Sequence, residues 1–354
     1  MRKQMTDEGA ARSAENIVIM LFCRLRGPSS VGFAASFSSR EKLNPLFYFL
    51  CAVVTAVPIC GLSPAVLILK EKTMKQLCAI ILTFFLLAGC APQQETPETP
   101  QREEIIIALL DTGVSTTAIQ SERLLVGHNY VTDSEDTEDH INHGTAVVSV
   151  ILGCESAGIE ATAPEISVVP LVIADKVDGE VVSATPEVLA QAIRDSLDKY
   201  GACIINVSLG TKKDDPALRD AIAYVQKQGA LVIAAAGNEG DSTDLYYPAD
   251  YDGVLTVGSH DKHLEVSDFT QQNGTADILA PGEDIWLASR NGKTYGAKGT
   301  SYATAYVSAA AALLWQSDMS LTAQNVADAV LTSAQTVDGW LILDTAAALS
   351  GGKN

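Results

Sequence analysis

The chain has 354 residues and a formal net charge of −19, and 47% of its residues are hydrophobic. Ten Lys/Arg against five Asp/Glu give residues 1–90 a charge of +5, which leaves −24 for residues 91–354. So acidic a region excludes nucleic acid as a partner, because a nucleic-acid-binding face needs clustered positive charge. It is also long enough to bury a sizeable core.

Residues 1–73 form an N-terminal extension that the sequence leaves open. The stretch 46–69 carries no charged residue and is long enough to span a bilayer, although Pro58 and Pro64 interrupt it. One reading is therefore a membrane segment near the N-terminus. The other, which we favour, is that translation starts at Met74, where a complete signal peptide begins.

A lipoprotein signal peptide is predicted over residues 74–90. A basic start is followed by an apolar run over residues 77–87 and by small residues, which is the order of a secretory signal peptide. The ending Leu87-Ala88-Gly89-Cys90 resembles a bacterial lipobox, whose cysteine is acylated. The resemblance implies lipidation of Cys90 and a lipid anchor in the cell membrane, outside the cytoplasm, with a cleaved soluble form as a further option. The alternative is an uncleaved membrane helix.

Residues 91–103 are predicted to be a tether. They are rich in Pro, Gln and Glu and have few apolar residues, a composition that favours an extended, disordered chain. The tether would connect the membrane anchor to a folded domain that spans residues 104–354.

Strands and helices alternate along residues 104–354. Apolar runs typical of strands buried on both faces occupy residues 105–110, 166–173, 202–207, 230–235 and 254–258. Helical patterns occupy residues 144–152, 186–200, 216–229 and 302–315, and two of them open with a proline. This alternation predicts an α/β fold, a three-layer sandwich with a mostly parallel central sheet.

Only two of the seven cysteines, Cys154 and Cys203, fall within this domain. Two thiols in so large a region do not form a disulfide framework, and we expect both to be unpaired, small core residues. The absence of a Cys-x-x-Cys pair argues against a structural zinc site.

Four short motifs bring together chemically reactive residue types. They are Asp111-Thr112-Gly113, His143-Gly144-Thr145, Ala236-Gly237-Asn238 and Gly299-Thr300-Ser301. Each stands where a predicted strand ends or a predicted helix begins, and ligands of parallel sheets bind at the carboxyl ends of the strands. We therefore expect the motifs to meet at one edge of the sheet.

These residues suit acyl transfer. A serine hydroxyl such as that of Ser301 needs a base, and the imidazole of His143 can serve because it titrates near neutral pH. Asp111 would orient the imidazole, and Asn238 with the backbone N–H of Ser301 would stabilise an oxyanion. The order Asp, His, Ser is one of three chain orders in which this triad occurs.

Each motif alone has a simpler explanation. Asp-Thr-Gly also marks aspartic proteases, but a second such centre is absent from the sequence. Gly-Thr-Ser is common at helix N-caps, where hydroxyls accept hydrogen bonds from free amides. His140 is a rival base, and we expect it to be a loop residue, as we do for His128, His260 and His263. The joint occurrence of the motifs, in order, favours the triad.

The chain resembles the subtilisin-like serine proteases over about residues 104–350. The resemblance includes the triad motifs, residues 206–210, residues 234–238 and the short motifs Tyr247-Pro248-Ala249 and Leu279-Ala280-Pro281-Gly282. It implies a subtilisin-like fold and cleavage of a polypeptide bound in extended conformation. The implied substrate-binding residues are Ser208, Leu209 and Gly210 on one wall and Ala235, Ala236 and Gly237 on the other.

The chain departs from the family pattern next to the nucleophile. The family usually shows Gly-Thr-Ser-Met-Ala-Ser-Pro, and this chain has Tyr302, Ala303, Thr304 and Ala305 after Ser301. The retained Gly-Thr-Ser and Ala303 leave the assignment of the nucleophile unchanged, while Thr304 and Ala305 imply different local packing.

No metal or other cofactor is expected to be required. Relatives often bind calcium in a loop after the His helix, and Glu155 is the only acidic side chain offered by residues 153–158. Six or more oxygen ligands are needed, so structural calcium lacks support here, although it stays open. The acidic run 133–139 is interpreted as a solvated loop.

The sequence thus predicts a membrane-anchored serine endopeptidase of bacterial origin. The alternative is a catalytically silent, peptide-binding pseudoprotease. A silent protein needs no inhibitory pro-domain, and the short tether leaves no room for one. All four chemical positions carry competent residues, and this favours the enzyme.

Overall fold

A computed structural model of the chain describes residues 17–19, 67–69 and 104–351. The chain divides into two units, Met1–Thr96 and Pro97–Asn354. In the first unit, β1 (Ile17–Ile19) pairs antiparallel with β2 (Leu67–Leu69). The predicted signal peptide, Cys90 and the tether lie outside the described residues, as does the stretch 46–66 of the candidate membrane segment.

The second unit is built on a nine-stranded sheet. Its strands, in spatial order, are β14 (Gln335–Val337), β15 (Trp340–Ile342), β11 (Ile278–Pro281), β10 (Leu255–His260), β9 (Leu231–Ala235), β8 (Ile204–Val207), β3 (Ile106–Asp111), β5 (Ser167–Val172) and β4 (His128–Asn129). Every neighbouring pair is parallel except β14 and β15. The prediction of a mostly parallel sheet is confirmed.

Strand β3 shows why these segments read as continuous apolar runs. Ile107 and Leu109 face one hydrophobic cluster, and Ala108 and Leu110 face the other. Alternate side chains point to opposite faces of a strand, so a strand covered on both sides must be apolar at every position. The sheet therefore separates two cores.

Helices cover both faces of the sheet. The six described helices are α1 (Gly144–Leu152), α2 (Pro186–Asp198), α3 (Pro216–Lys227), α4 (Thr300–Ser317), α5 (Ala323–Ser333) and α6 (Thr345–Gly351). Helices α2 and α3 contribute their buried side chains to one core, and α1, α4 and α5 contribute theirs to the other. The result is the predicted three-layer α/β sandwich.

Short elements outside the main sheet complete the unit. Two antiparallel hairpins are formed by β6 (Ala174–Val177) with β7 (Glu180–Ser183), and by β12 (Ile285–Ala288) with β13 (Thr294–Ala297). A single 3₁₀ turn, Glu155–Ala157, follows α1.

Local sequence signals set where helices α2 and α3 begin. Thr185 and Asp215 cap these helices by accepting hydrogen bonds from backbone N–H groups of the first turn. A proline occupies the first helical position of each, where no hydrogen-bond donor is needed.

Cys154 and Cys203 are both buried, and neither forms a disulfide. Among the residues that the structure describes, no helix combines the length and apolar character required to cross a membrane.

Helix α4 is the central helix of its layer and is buried on nearly all sides. Six of its fourteen buried positions are alanines, Ala303, Ala305 and 309–312, which let it contact α1, β9, β10 and β11 closely. A helix that is apolar all round belongs in a domain interior.

We predict that enlarging one of these alanines destabilises the fold. Ala311→Leu adds three heavy atoms to a fully buried site and should lower the free energy of unfolding by about 1–3 kcal/mol. Thermal unfolding of the full chain measures the effect. The control, Ala223→Leu on the exposed face of α3, should change stability by less than about 0.5 kcal/mol. Equal effects of the two substitutions would contradict the packing described.

Candidate active site

Asp111 and His143 lie in direct contact. Asp111 is the last residue of β3 and is fully buried, and His143 is the N-cap residue of α1. The imidazole Nδ1 lies 2.6 Å from Asp111 Oδ1. Because a carboxylate only accepts hydrogen bonds, Nδ1 carries the proton, and Nε2 is left as the basic nitrogen.

Two glycines allow this contact. A Cβ atom on Gly144 would lie 2.1 Å from the carbonyl oxygen of Gly113 and 3.1 Å from Asp111 Oδ1. Gly113 has a φ of 100°, and a Cβ there would lie 2.6 Å from the carbonyl oxygen of Thr137. The Thr-Gly and Gly-Thr parts of the two motifs are thus explained by backbone approach, because only glycine fits.

The charge state of His143 reflects two opposed effects. Burial by itself lowers the pKa of the imidazole, but the charge and the hydrogen bond of Asp111 outweigh it, so the pKa is raised above its ordinary value. The buried negative charge of Asp111 therefore makes His143 a stronger base.

The prediction of a solvated loop is wrong for Asp139. It lies in the acidic run interpreted as a solvated loop, yet its side chain is fully buried. Its carboxylate accepts five hydrogen bonds, from Thr112 Oγ1, from the N–H groups of Ile141 and Asn142, and from both the N–H and the hydroxyl of Thr145. Asp139 thus binds the loop after β3 to the start of α1.

Ser301 lies in the first turn of helix α4. Its side chain does not cap the helix, whose N-cap is Gly299, so the simpler N-cap explanation of Gly-Thr-Ser is wrong. Within the described residues, the hydroxyl donates a 2.9 Å hydrogen bond to the carbonyl oxygen of Ser208 and none to an imidazole nitrogen. The backbone N–H of Ser301 is one of the amides that a helix leaves free at its start.

The two predicted substrate walls follow neighbouring parallel strands. Residues 208–210 continue β8, and residues 235–237 run from the end of β9, which pairs with β8. Thr300 Oγ1 contacts both the N–H and the carbonyl of Gly237 at 3.4 Å, and Ser208 Oγ donates to the carbonyl of Ser301 at 3.3 Å. The start of α4 is therefore held between the two walls.

Asn238 is fixed by the same turn. Its Oδ1 accepts hydrogen bonds from the backbone N–H of Thr300 at 2.9 Å and from Thr300 Oγ1 at 3.1 Å. Oδ1 is engaged in this way, and Nδ2 of the exposed side chain has no hydrogen-bond partner among the described residues. A Cβ built on Gly299 would lie 3.9 Å from this nitrogen, which places it beside the turn before Ser301.

The rival histidine has a different carboxylate partner. His140 Nδ1 lies 2.9 Å from Oδ1 of the buried Asp175, which also accepts from the side chain of Asn129. Asp111 thus pairs with His143 and not with His140. The expectation of loop positions was wrong for two other histidines, since His128 lies in β4 and His260 is buried in β10.

No group of three or more His, Cys, Asp or Glu side chains that could hold a metal ion is found among the described residues. The reactive groups assembled at this edge of the sheet are a carboxylate, an imidazole, a hydroxyl and amide donors.

Comparison with known proteins places the chain among proteases. The model of the subtilase family of peptidases matches residues 102–348. The major intracellular serine protease of Bacillus subtilis strain 168 is 35% identical over 260 residues, which cover 70% of this chain and 80% of that protein.

Two solved structures are also similar. The protease domain of PatA has a TM-score of 0.62 at 31% identity and covers 70% of this chain and 96% of its own. The prenylagaramide maturation protease PagA has a TM-score of 0.61 at 30% identity, and the match covers 73% of this chain and 97% of the PagA chain.

The paired carboxylate predicts how His143 titrates. In the full chain, the midpoint of His143 should lie above the ordinary histidine value of about 6.5. Asp111→Asn should lower it, because that substitution removes the charge while burial remains. Histidine-selective NMR titration of the wild-type chain and of Asp111→Asn measures both midpoints. An unchanged midpoint in Asp111→Asn would show that the pair does not control the base.

Proposed function

The chain belongs to the subtilase family and is a serine-type endopeptidase, and we propose that Ser301, His143 and Asp111 form its catalytic triad. The observation that carries this assignment is the 2.6 Å contact between His143 Nδ1 and the buried Asp111 carboxylate. It fixes the tautomer that leaves Nε2 free to accept a proton.

The first step requires the Ser301 hydroxyl to rotate. In the present conformation it donates to the carbonyl of Ser208. Rotation about the Cα–Cβ bond would exchange this partner for His143 Nε2. Catalytic hydrogen bonds often tighten only when substrate binds, and an extended peptide beside residues 208–210 would compete for the backbone of that segment.

Acyl transfer then proceeds by two proton movements. Ser301 Oγ attacks the peptide carbonyl carbon while its proton passes to His143 Nε2. The resulting imidazolium is stabilised by the adjacent Asp111 carboxylate, and it returns the proton to the leaving amine as the C–N bond breaks. In deacylation, water gives a proton to the same nitrogen as it attacks the acyl carbon, and the imidazolium then returns that proton to Ser301 Oγ as the acyl C–O bond breaks.

Two amide donors are proposed to hold the oxyanion. Thr300 engages Asn238 Oδ1 and so orients the Nδ2 group, and the N–H of Ser301 lies at the positive end of helix α4. Donors fixed in advance by the fold are worth more than donors that must reorganise during the reaction.

The substrate is a polypeptide, and we propose that it binds in extended conformation between the walls Ser208–Gly210 and Ala235–Gly237. The backbone of Gly210 packs closely against the ring of Tyr246, since a Cβ at this position would lie 2.5 Å from Tyr246 Cε1. Gly210 and the small residues 235–237 add little side-chain bulk, which leaves backbone groups accessible for pairing with a peptide strand. This chemistry uses side chains and backbone amides, so we propose that it requires no cofactor.

Removing the nucleophile or the oxyanion donor should lower kcat by very different factors. For hydrolysis of unfolded casein by the full chain, we expect Ser301→Ala to reduce kcat about 10⁶-fold. Asn238→Ala should reduce kcat about 10²–10³-fold with little change in KM, because it removes a contact made mainly in the transition state. Assays with and without EDTA test the proposal that the chemistry needs no metal.

Ser317→Ala is the matched control, since Ser317 lies at the far end of the same helix and is exposed. It should leave kcat unchanged. A folded wild-type chain without casein hydrolysis, or a Ser301→Ala chain with full activity, would reject the triad, and the former result would favour the pseudoprotease.

We further propose that the domain is anchored to the cell membrane, outside the cytoplasm, through a lipid on Cys90. The support is the sequence pattern of residues 74–90, which ends in Leu-Ala-Gly-Cys.

Lipidation is tested by metabolic labelling with an alkyne fatty acid in a bacterial host. We expect the wild-type chain to be labelled and Cys90→Ser to lose the label and the membrane-pellet fraction. Cys78→Ser, a cysteine within the predicted apolar run, is the control and should remain labelled. Label that persists in Cys90→Ser, or an unlabelled wild-type chain, would reject the anchor.

A further inference from the structure

Tyr302 follows Ser301 directly, at the position where the family pattern has methionine. Tyr302 is the third residue of α4, in the first turn of the helix, and its side chain is buried. Burial, with further contributions from the neighbouring Tyr295 and acidic groups, raises the pKa of its hydroxyl far above the ordinary tyrosine value, so the phenol stays protonated as a donor.

The ring of Tyr302 contacts the ring of His143. The two centroids are 5.6 Å apart, and the planes are tilted by 36°. The hydrogen bond to Asp111 fixes one imidazole nitrogen, but a single bond leaves the ring free to tilt about it. An aromatic ring packed beside the imidazole restricts that tilt, and with it the direction in which Nε2 points.

A second phenol near Tyr302 contacts the backbone before His143. The hydroxyl of Tyr295 donates to the carbonyl oxygen of Asn142 at 3.4 Å. Asn142 has a φ of 87°, an uncommon conformation for a residue other than glycine. Tyr295 thus binds the residue at which the backbone turns into His143.

The β12–β13 hairpin, which carries Tyr295, makes further contacts to the same loop. The backbone N–H of Arg290 donates to Asn142 Oδ1 at 2.7 Å, and Arg290 Nη1 donates to the carbonyl of Asp139 at 3.3 Å. The hairpin therefore stabilises the loop before His143 through Arg290, while Tyr302 contacts the imidazole itself.

We propose that Tyr302 is a positioning residue that sets the orientation of His143 relative to Ser301, through contact of its ring with the imidazole. The nucleophile and the residue that orients its base are adjacent in one helical turn. Movement of that turn would therefore shift both together. The inference rests on the proposed triad.

Removal of the ring should affect turnover more than binding. Tyr302→Ala should lower kcat for a peptide substrate about 10- to 100-fold, the cost of a base displaced by a fraction of an ångström to 1 Å, with KM changed by less than about twofold. Tyr302→Phe keeps the ring that contacts the imidazole and should recover most of this loss.

Tyr306→Ala is the matched control for loss of a tyrosine from α4. Tyr306 lies one turn further along the helix, is partly buried, and packs against the same core. Both alanine variants should lose stability in thermal unfolding, but only Tyr302→Ala should lose kcat beyond about twofold. Equal kcat values in the two variants would reduce Tyr302 to a core residue and overturn the proposal.

A spectroscopic measurement separates positioning from stability. The His143 Nδ1 proton, bonded to Asp111, gives a low-field proton resonance at temperatures where all variants are folded. We expect it to shift and to exchange faster with water in Tyr302→Ala, and to be unchanged in Tyr306→Ala. An unaltered resonance in Tyr302→Ala would overturn the proposal. An inactive wild-type chain would instead reject the triad itself, so the two failures are distinguishable.

Discussion

The hydrogen bond between His143 and the buried Asp111 is the interaction on which the rest of the site depends. A carboxylate without solvent is costly to bury, and its charge is compensated here by the imidazole and by the backbone N–H of Thr112, which donates to Oδ1 at 2.7 Å. The bond forms only because Gly113 and Gly144 let the end of β3 approach the start of α1. Backbone packing thus sets the basicity of the imidazole.

The parallel sheet brings distant parts of the chain to this bond. Strands β3, β8 and β9 are adjacent and parallel, so Asp111, Ser208 and Ala235 reach the same edge although more than 120 residues separate the first from the last. Helix α4 crosses behind them and presents Ser301 and Tyr302 from its first turn. Each reactive group is therefore carried by a rigid element, while Asp139 and the hairpin secure the loop before His143.

Much of this arrangement follows from local sequence. Alternation of apolar runs with capped helical patterns predicts the layers, and the glycines of the motifs predict the turns, because these signals depend on neighbouring residues. Asp139 was predicted wrongly and Tyr302 was given no role, because their roles depend on partners that are distant in sequence: Thr112 for Asp139, and His143 for Tyr302. An acidic residue in an acidic run looks solvated until the hydroxyls that surround it are known.

The most direct test of the central claim is to map the site of reaction with a fluorophosphonate, which labels only an activated serine. The full chain is treated at neutral pH and digested, and the adduct is located by peptide mass spectrometry. We expect one adduct, on Ser301, that is lost in His143→Ala although Ser301 is intact. An adduct on another serine, or labelling that persists without His143, would contradict it.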